Sequence, residues 1–229
     1  MQHSFALKSL WLGIPALSLA FSAVADEPAP LTLPLGPAVS AYLASSGTQA
    51  VSGSGTVNNQ AGTGTGTAVR DAAVTVTFEG QPALRKSTVI TLNFTTSSGS
   101  STVDSTLINY YDAGYTVPRG AVISGLYSVT NTATPLPATA KAGDSGSWYT
   151  LRVYSDSGKW LQLGTATVNY SVKADTDSTL LLSVVTTATP VLGTPIVNTS
   201  TYRLAATGAA VPLTESATSS GTDLQITYE

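Results

Sequence analysis

The chain has 229 residues, a tenth of them charged, with 10 basic and 13 acidic side chains and a formal net charge of −3. It contains no cysteine, and its single histidine, His3, and single methionine, Met1, both lie before residue 25. Beyond that point there is no imidazole base, no thiol nucleophile and no His or Cys metal ligand, and the scattered arginines build no basic stripe for nucleic acid.

Residues 1–25 read as a secretion signal. Lys8 precedes an apolar run from Leu10 to Phe21, and Ala23-Val24-Ala25 supplies the small-x-small cleavage pattern before Asp26. The run is shorter than the roughly 20 residues a spanning helix requires, Pro15 interrupts it, and no comparable stretch follows. The expectation is an exported protein of periplasm, cell surface or medium, with no transmembrane segment in its mature chain.

Residues 26–67 read as a flexible N-terminal segment. Pro28, Pro30, Pro34 and Pro37 favour extended chain, and Ala38 to Ala44 suits one short helix just after Pro37. Residues 45–67 are almost wholly Ser, Gly, Thr, Asn and Gln, ending in Gly62-Thr63-Gly64-Thr65-Gly66-Thr67. So polar a stretch buries too little to offset its ordering entropy, which predicts a linker, or an edge strand added on docking.

Residues 68–229 read as one all-β domain. Val74, Val76 and Phe78 alternate with polar residues, then Ile90, Leu92 and Phe94 do the same, with a reversal at Gly80-Gln81-Pro82. Further strands are predicted over 102–111, 121–130, 148–155, 160–173, 179–186, 197–205, 210–214 and 223–228. The pattern predicts an antiparallel β-sandwich or a closed or curved meander sheet of about ten strands. Leu180-Leu181-Leu182-Ser183-Val184-Val185 is apolar on both pleat faces, as a strand covered on both sides would be. Thr, Ser and Asn on both faces of the other strands disfavour a lipid-facing outer-membrane barrel. An open curved sheet holding an apolar ligand, with the 38–44 helix as part of its cover, is the alternative.

An internal duplication is suggested by recurring short motifs. Ser105-Thr106, Gly114 and Val117-Pro118 return as Ser200-Thr201, Gly208 and Val211-Pro212; within the hairpins that precede them, Val74 to Thr96 and Val168 to Thr187, Ser87-Thr88 returns as Ser178-Thr179 and Thr95-Thr96 as Thr186-Thr187.

Few residues suggest chemistry. Gly143-Asp144-Ser145-Gly146-Ser147 resembles the nucleophile segment of trypsin-like serine proteases, but without a histidine the family's roles do not carry over to Ser145. Asp112, Asp144, Asp156, Asp175 and Asp177 are candidates for paired-carboxylate catalysis, but they sit in turn-like contexts where Asp bonds its own backbone. Asp175 and Asp177 are also the candidate calcium ligands, although two carboxylates fall short of the roughly six to eight oxygens calcium takes. The binding candidate is Trp148, Arg152 and Tyr154, which strict alternation places on one outward face, with Tyr149, Leu151 and Val153 inward. Leu224 to Glu229 loosely resembles the last strand of chaperone–usher pilin subunits, which would imply assembly by strand addition, but the prolines of residues 28–37 do not suit a donor strand. The sequence thus predicts a non-catalytic, cofactor-free binding or structural module, with neutral polysaccharide or another cell-envelope component as partner. A carboxylate-based hydrolase, an apolar-ligand carrier and a surface-fibre subunit are the alternatives.

Overall fold

The structure, a computed structural model, describes residues 30–57, 59–123 and 125–229, so the secretion-signal reading of residues 1–25 lies outside it. Strand β1 (Thr32–Pro34) leads into helix α1 (Gly36–Ala44), which starts beside Pro37 as the sequence suggested. Next come β2 (Gly47–Val57), β3 (Gln60–Arg70), β4 (Val74–Phe78), β5 (Gln81–Thr96), β6 (Gly99–Tyr111) and β7 (Pro118–Ile123). They are followed by β8 (Leu126–Ala133), β9 (Thr139–Lys141), β10 (Ser145–Tyr154), β11 (Gln162–Thr176) and β12 (Thr179–Pro190). Strands β13 (Ile196–Ala205), β14 (Ala210–Ser219) and β15 (Thr222–Tyr228) complete the order.

Twelve of these strands close into one antiparallel barrel. Neighbours in sequence are neighbours in the wall, except that β4 and β9 are skipped, and β15 returns to β2 with Tyr228 opposite Val51. A single closed wall is therefore the arrangement, not two packed sheets. Closure gives every wall strand a partner on both sides and removes the exposed edges that invite aggregation. Strand β15 is bonded to both β14 and β2, so the segment likened to a pilin strand sits inside the wall.

The stretch expected to be a linker is the β2–β3 hairpin. Its glycines are the reason it can fold. Antiparallel partners share a face, and Gly62, Gly64 and Gly66 pair with Thr96, Phe94 and Leu92, putting the glycines inside and Thr63, Thr65 and Thr67 outside. A Cβ on Gly64 would stand 2.7 Å from the Asn93 carbonyl oxygen, and one on Gly62 would stand 2.8 Å from the Phe94 ring. Bare backbone lets the buried Leu92 and Phe94 lie close against β3, so the burial that stabilises the hairpin comes from its neighbours' side chains. The outward hydroxyls continue around the wall, with Ser52, Ser54, Thr91 and Thr95 and the Asn93 amide nearby and Thr165, Thr167, Ser183 and Thr187 on later strands. On the glycine-rich side of the wall the apolar side chains face in and the hydroxyls face out.

Eight strands leave an interior that side chains can just fill, so twelve leave space to occupy. Helix α1 occupies one end. Leu35, Ala38 and Val39 pack against Trp148, Val168, Tyr170, Val172, Leu180, Leu182 and Leu204. The pair β1–β9 lies beside the helix, and the Gly36 N–H bonds to the Pro137 carbonyl at 2.9 Å. A second apolar cluster, Val51, Ala68, Ile90, Leu92, Phe94, Leu224 and Ile226, lines the glycine-rich side. Outside the wall, Phe78 of β4 stacks on Tyr110 with centroids 4.0 Å apart.

Gly64→Val should cost about 1–3 kcal/mol through overpacking against β5 and lower the thermal midpoint by several degrees. Thr65→Val, one residue along but outward, should stay within about 0.5 kcal/mol. Equal losses in the two melts would contradict the inward assignment of the glycines.

Candidate functional site

Between the α1 plug and the far end of the barrel lies a chamber of about 200 Å³. Register explains its walls. Arg70 stands opposite Thr88, Lys86 opposite Asn109, Ser200 opposite Glu215 and Tyr228 opposite Val51, all on the inward face. Tyr42 enters from α1, and Tyr111, Tyr149 and Tyr202 enter from β6, β10 and β13. Tyr111 and Tyr202 each follow a register shift near a strand end, where they come opposite Pro118 and Pro212. Leu107, Leu151, Leu182 and Val184 supply apolar wall between these groups.

Among the described residues these charges are held without an ion pair. Arg70 lays its guanidinium over the Tyr42 ring, 4.3 Å from the centroid, and its Nη1 is buried with no hydrogen-bond partner among the described residues. Lys86, almost wholly buried, donates to the Ser45 carbonyl just past α1, where the helix dipole favours a cation. Burial lowers the Lys86 amine's pKa, and the neighbouring Arg70 adds to that, while Asp71 opposes it. Glu215 accepts a bond from the Tyr228 hydroxyl at 3.0 Å, and burial raises its carboxyl above the ordinary range despite that bond. Burial likewise raises the phenols: Tyr149 is pushed up to about 12, and Tyr42, Tyr111, Tyr202 and Tyr228 also rise. All five tyrosines therefore remain neutral hydrogen-bond donors at neutral pH.

At the other end the barrel interior reaches the surface. Ser105 and Ile123 face inward yet are exposed, Ile123 by 41%, and Ile123 also lines the chamber. The turn and loops at that end carry Leu126, Trp160, Leu161, Val191, Leu192 and Ile196, with Trp160 93% and Leu192 89% exposed. They connect β7–β8, β10–β11 and β12–β13, so the apolar residues cover one half of the rim.

The expected outward group is split. Ser147 pairs with Asn169 and Tyr149 with Val168, leaving Trp148 as the extra residue of a β-bulge. The bulge breaks alternation, and Trp148 joins the core at 7% exposure, edge-on to Tyr149 and with its Nε1 unpartnered. Arg152 is exposed and Tyr154 half-buried on the outer wall, so the structure does not bring the three together. Tyr149, Leu151 and Val153 do face inward, as read from the sequence. The aspartates serve their turns. Asp112 accepts from the Thr116 and Val117 amides at 2.7 and 2.9 Å and from the Thr116 hydroxyl at 2.7 Å. Asp144 accepts from the Lys141 amide and Asp156 from the Gly158 amide, at 2.9 and 2.8 Å. Asp175 pairs with Arg203 at 2.7 Å and accepts from Thr179 at 2.8 Å, while Asp177 lies in the adjoining turn. Sequence reading passed over Arg70, Lys86 and Glu215. Their period-two placement among inward residues was the available signal.

No known protein family, curated protein or solved structure matches this chain.

Two titrations follow. Folded Glu215 keeps a proton that the unfolded chain releases near 4.5, so its contribution to stability declines as pH rises from there through the higher folded value. Melts of Glu215→Gln against wild type should show the variant's relative stability growing from about pH 4 to pH 8; a constant difference would contradict the burial of this carboxyl. For Asp112, burial pushes the pKa up, but the Val117 and Thr116 bonds outweigh it and the net direction is down. Asp112→Ala should cost about 1–3 kcal/mol near neutral pH, and the deficit should shrink as pH falls through the folded carboxyl's value.

Proposed function

We propose that this is an exported, non-catalytic binding protein that takes a small amphipathic molecule into its barrel. The observation that carries this reading is the chamber itself, where apolar wall alternates with five phenols, two cations and one carboxylate in an interior reachable from one end. Small-molecule sites share that pattern of mostly apolar lining with a few convergent polar groups. At about 200 Å³ the chamber is smaller than the roughly 300–1,000 Å³ of drug-sized sites, which suits a compact ligand or one whose tail lies towards the rim. The apolar-ligand carrier among the sequence alternatives is thereby favoured in a modified, more polar form.

A second reading keeps the neutral-polysaccharide partner. Ser52, Ser54, Thr63, Thr65, Asn93, Thr95 and Thr227 line a shallow groove on the outer wall, and its hydroxyls and amide suit sugar hydroxyls.

For the internal duplication the support is divided: β4 of the first hairpin lies outside the wall whereas its counterpart β11 lies within it, and Ser87-Thr88 falls inside β5 whereas Ser178-Thr179 falls at the turn into β12. The matched motifs fall on β6–β7 and β13–β14, six strands apart in the twelve-strand ring, so Tyr111 and Tyr202 approach the chamber from opposite walls. The register has moved between copies: relative to matched Thr95 and Thr186, Ser105 pairs five residues back at Ile90 and Ser200 two back at Val184.

The test uses N-phenyl-1-naphthylamine, a neutral apolar fluorophore that brightens on leaving water. Wild type should enhance its emission, and Thr186→Trp, which fills the chamber from β12, should abolish the enhancement while leaving the far-UV spectrum unchanged. Undiminished enhancement by a folded Thr186→Trp would move the site out of the barrel. Retention on neutral glycans, lost in Thr63→Val/Thr65→Val but kept in Thr186→Trp, would favour the outer groove.

A further inference from the structure

The chamber's hydrogen-bonding groups lean towards donors. The Arg70 guanidinium, the Lys86 ammonium and the Trp148 indole can only donate, Thr88, Asn109, Thr186, Asn198, Ser200 and the phenols can both donate and accept, and the one carboxyl group, Glu215, already accepts from Tyr228. Its charges are unbalanced. Among the described residues the ion pairs are Lys159–Glu79 and Arg203–Asp175, both outside the chamber, so neither interior cation has a carboxylate partner. Glu215 is held towards its neutral form and compensates them poorly. Buried cations without an anion are costly, and a ligand that supplies one recovers part of that cost.

The apolar surface has a direction. It runs from the cation layer past Leu107, Leu151 and Val184 to Ile123 and on to the half-rim that carries Leu126 and Leu192. The opposite end is closed by α1.

Resting on the reading of the barrel interior as a ligand site, we propose that the ligand is a carboxylate-headed amphiphile. Its head group lies in the layer of Arg70, Lys86 and the phenols, and its aliphatic chain points along the apolar path to the rim. The carboxylate supplies the negative charge that Arg70 and Lys86 lack and an acceptor for their N–H groups, and the chain replaces water against leucine and valine. Nη1 of Arg70 and Nε1 of Trp148 are the donors left over for it.

The experiment measures displacement of N-phenyl-1-naphthylamine from the full-length protein by three probes of equal chain length: decanoate, 1-decanol and decyltrimethylammonium. Decanoate should compete at least about tenfold better than decanol, the discrimination one charge-assisted hydrogen bond supplies. Decyltrimethylammonium should compete worst. Arg70→Met should narrow the gap, bringing decanoate to within about threefold of decanol. The wild-type ranking reads out the proposal even if that variant fails to fold. Equal competition by acid and alcohol, or preference for the ammonium, would overturn the carboxylate assignment and leave the chamber as a site for another amphiphile. If the fluorophore binds equally to wild type and to folded Thr186→Trp, the barrel reading falls and this assignment falls with it.

Discussion

Closing a twelve-strand wall is the constraint on which the rest of this molecule depends. The closed ring gives every wall strand a partner on both sides, but it encloses more space than its own side chains can fill. Three devices meet that demand. Helix α1 and the β1–β9 pair plug one end, the glycine-lined face of β2 and β3 lets Leu92 and Phe94 lie close against the wall, and a layer of tyrosines spans the middle. None of these is independent of closure. An open sheet of the same strands would leave α1 half covered and the glycine strands facing water.

The polar middle layer is the least economical part of the interior, and its composition suggests what it is for. A purely structural filling would use leucine and valine, as the layer beneath the helix does. Instead a lysine is spent on the carbonyl beyond the helix, an arginine on a tyrosine face, and a glutamate on a phenol. Only the first is fully accounted for as structure, since it fastens the plug to the wall. On the ligand-site reading proposed above, the arginine and the glutamate are the groups that would meet a polar part of the ligand.

Much of this architecture was legible in the residues. Alternation placed β5, β6, β11 and β12, Pro37 marked the start of α1, and the both-faced apolar run 180–185 supplies the buried Leu180 and Leu182. Its outward Leu181 and Val185 are only half-buried, because a single wall covers one face. Composition hides the β2–β3 hairpin: Gly-Thr-Gly-Thr-Gly-Thr alternates as strictly as any strand, but its apolar partners lie some thirty residues away on β5. Trp148 was misplaced because one inserted residue inverts alternation, and nothing local in Ser147-Trp148-Tyr149 marks a bulge. The chamber was invisible for a different reason. Arg70, Lys86 and Glu215 are far apart in the chain, and only a ring of known order brings their strands around one axis.

The closing seam also governs how the barrel is made. It joins residues 51–56 to residues 223–228, so the wall cannot shut until nearly the whole described chain is available. Every other adjacent pair is a near-sequence hairpin or short connection that can form early, leaving one long-range step to the end. Such topologies fold slowly, because loop-closure entropy is met before the last contacts repay it. Until that step, the inner faces of both halves are open to solvent and to other chains. The plug precedes the wall in sequence, so its apolar face, Leu35, Ala38 and Val39, is already synthesised when the strands it packs against in the finished barrel follow.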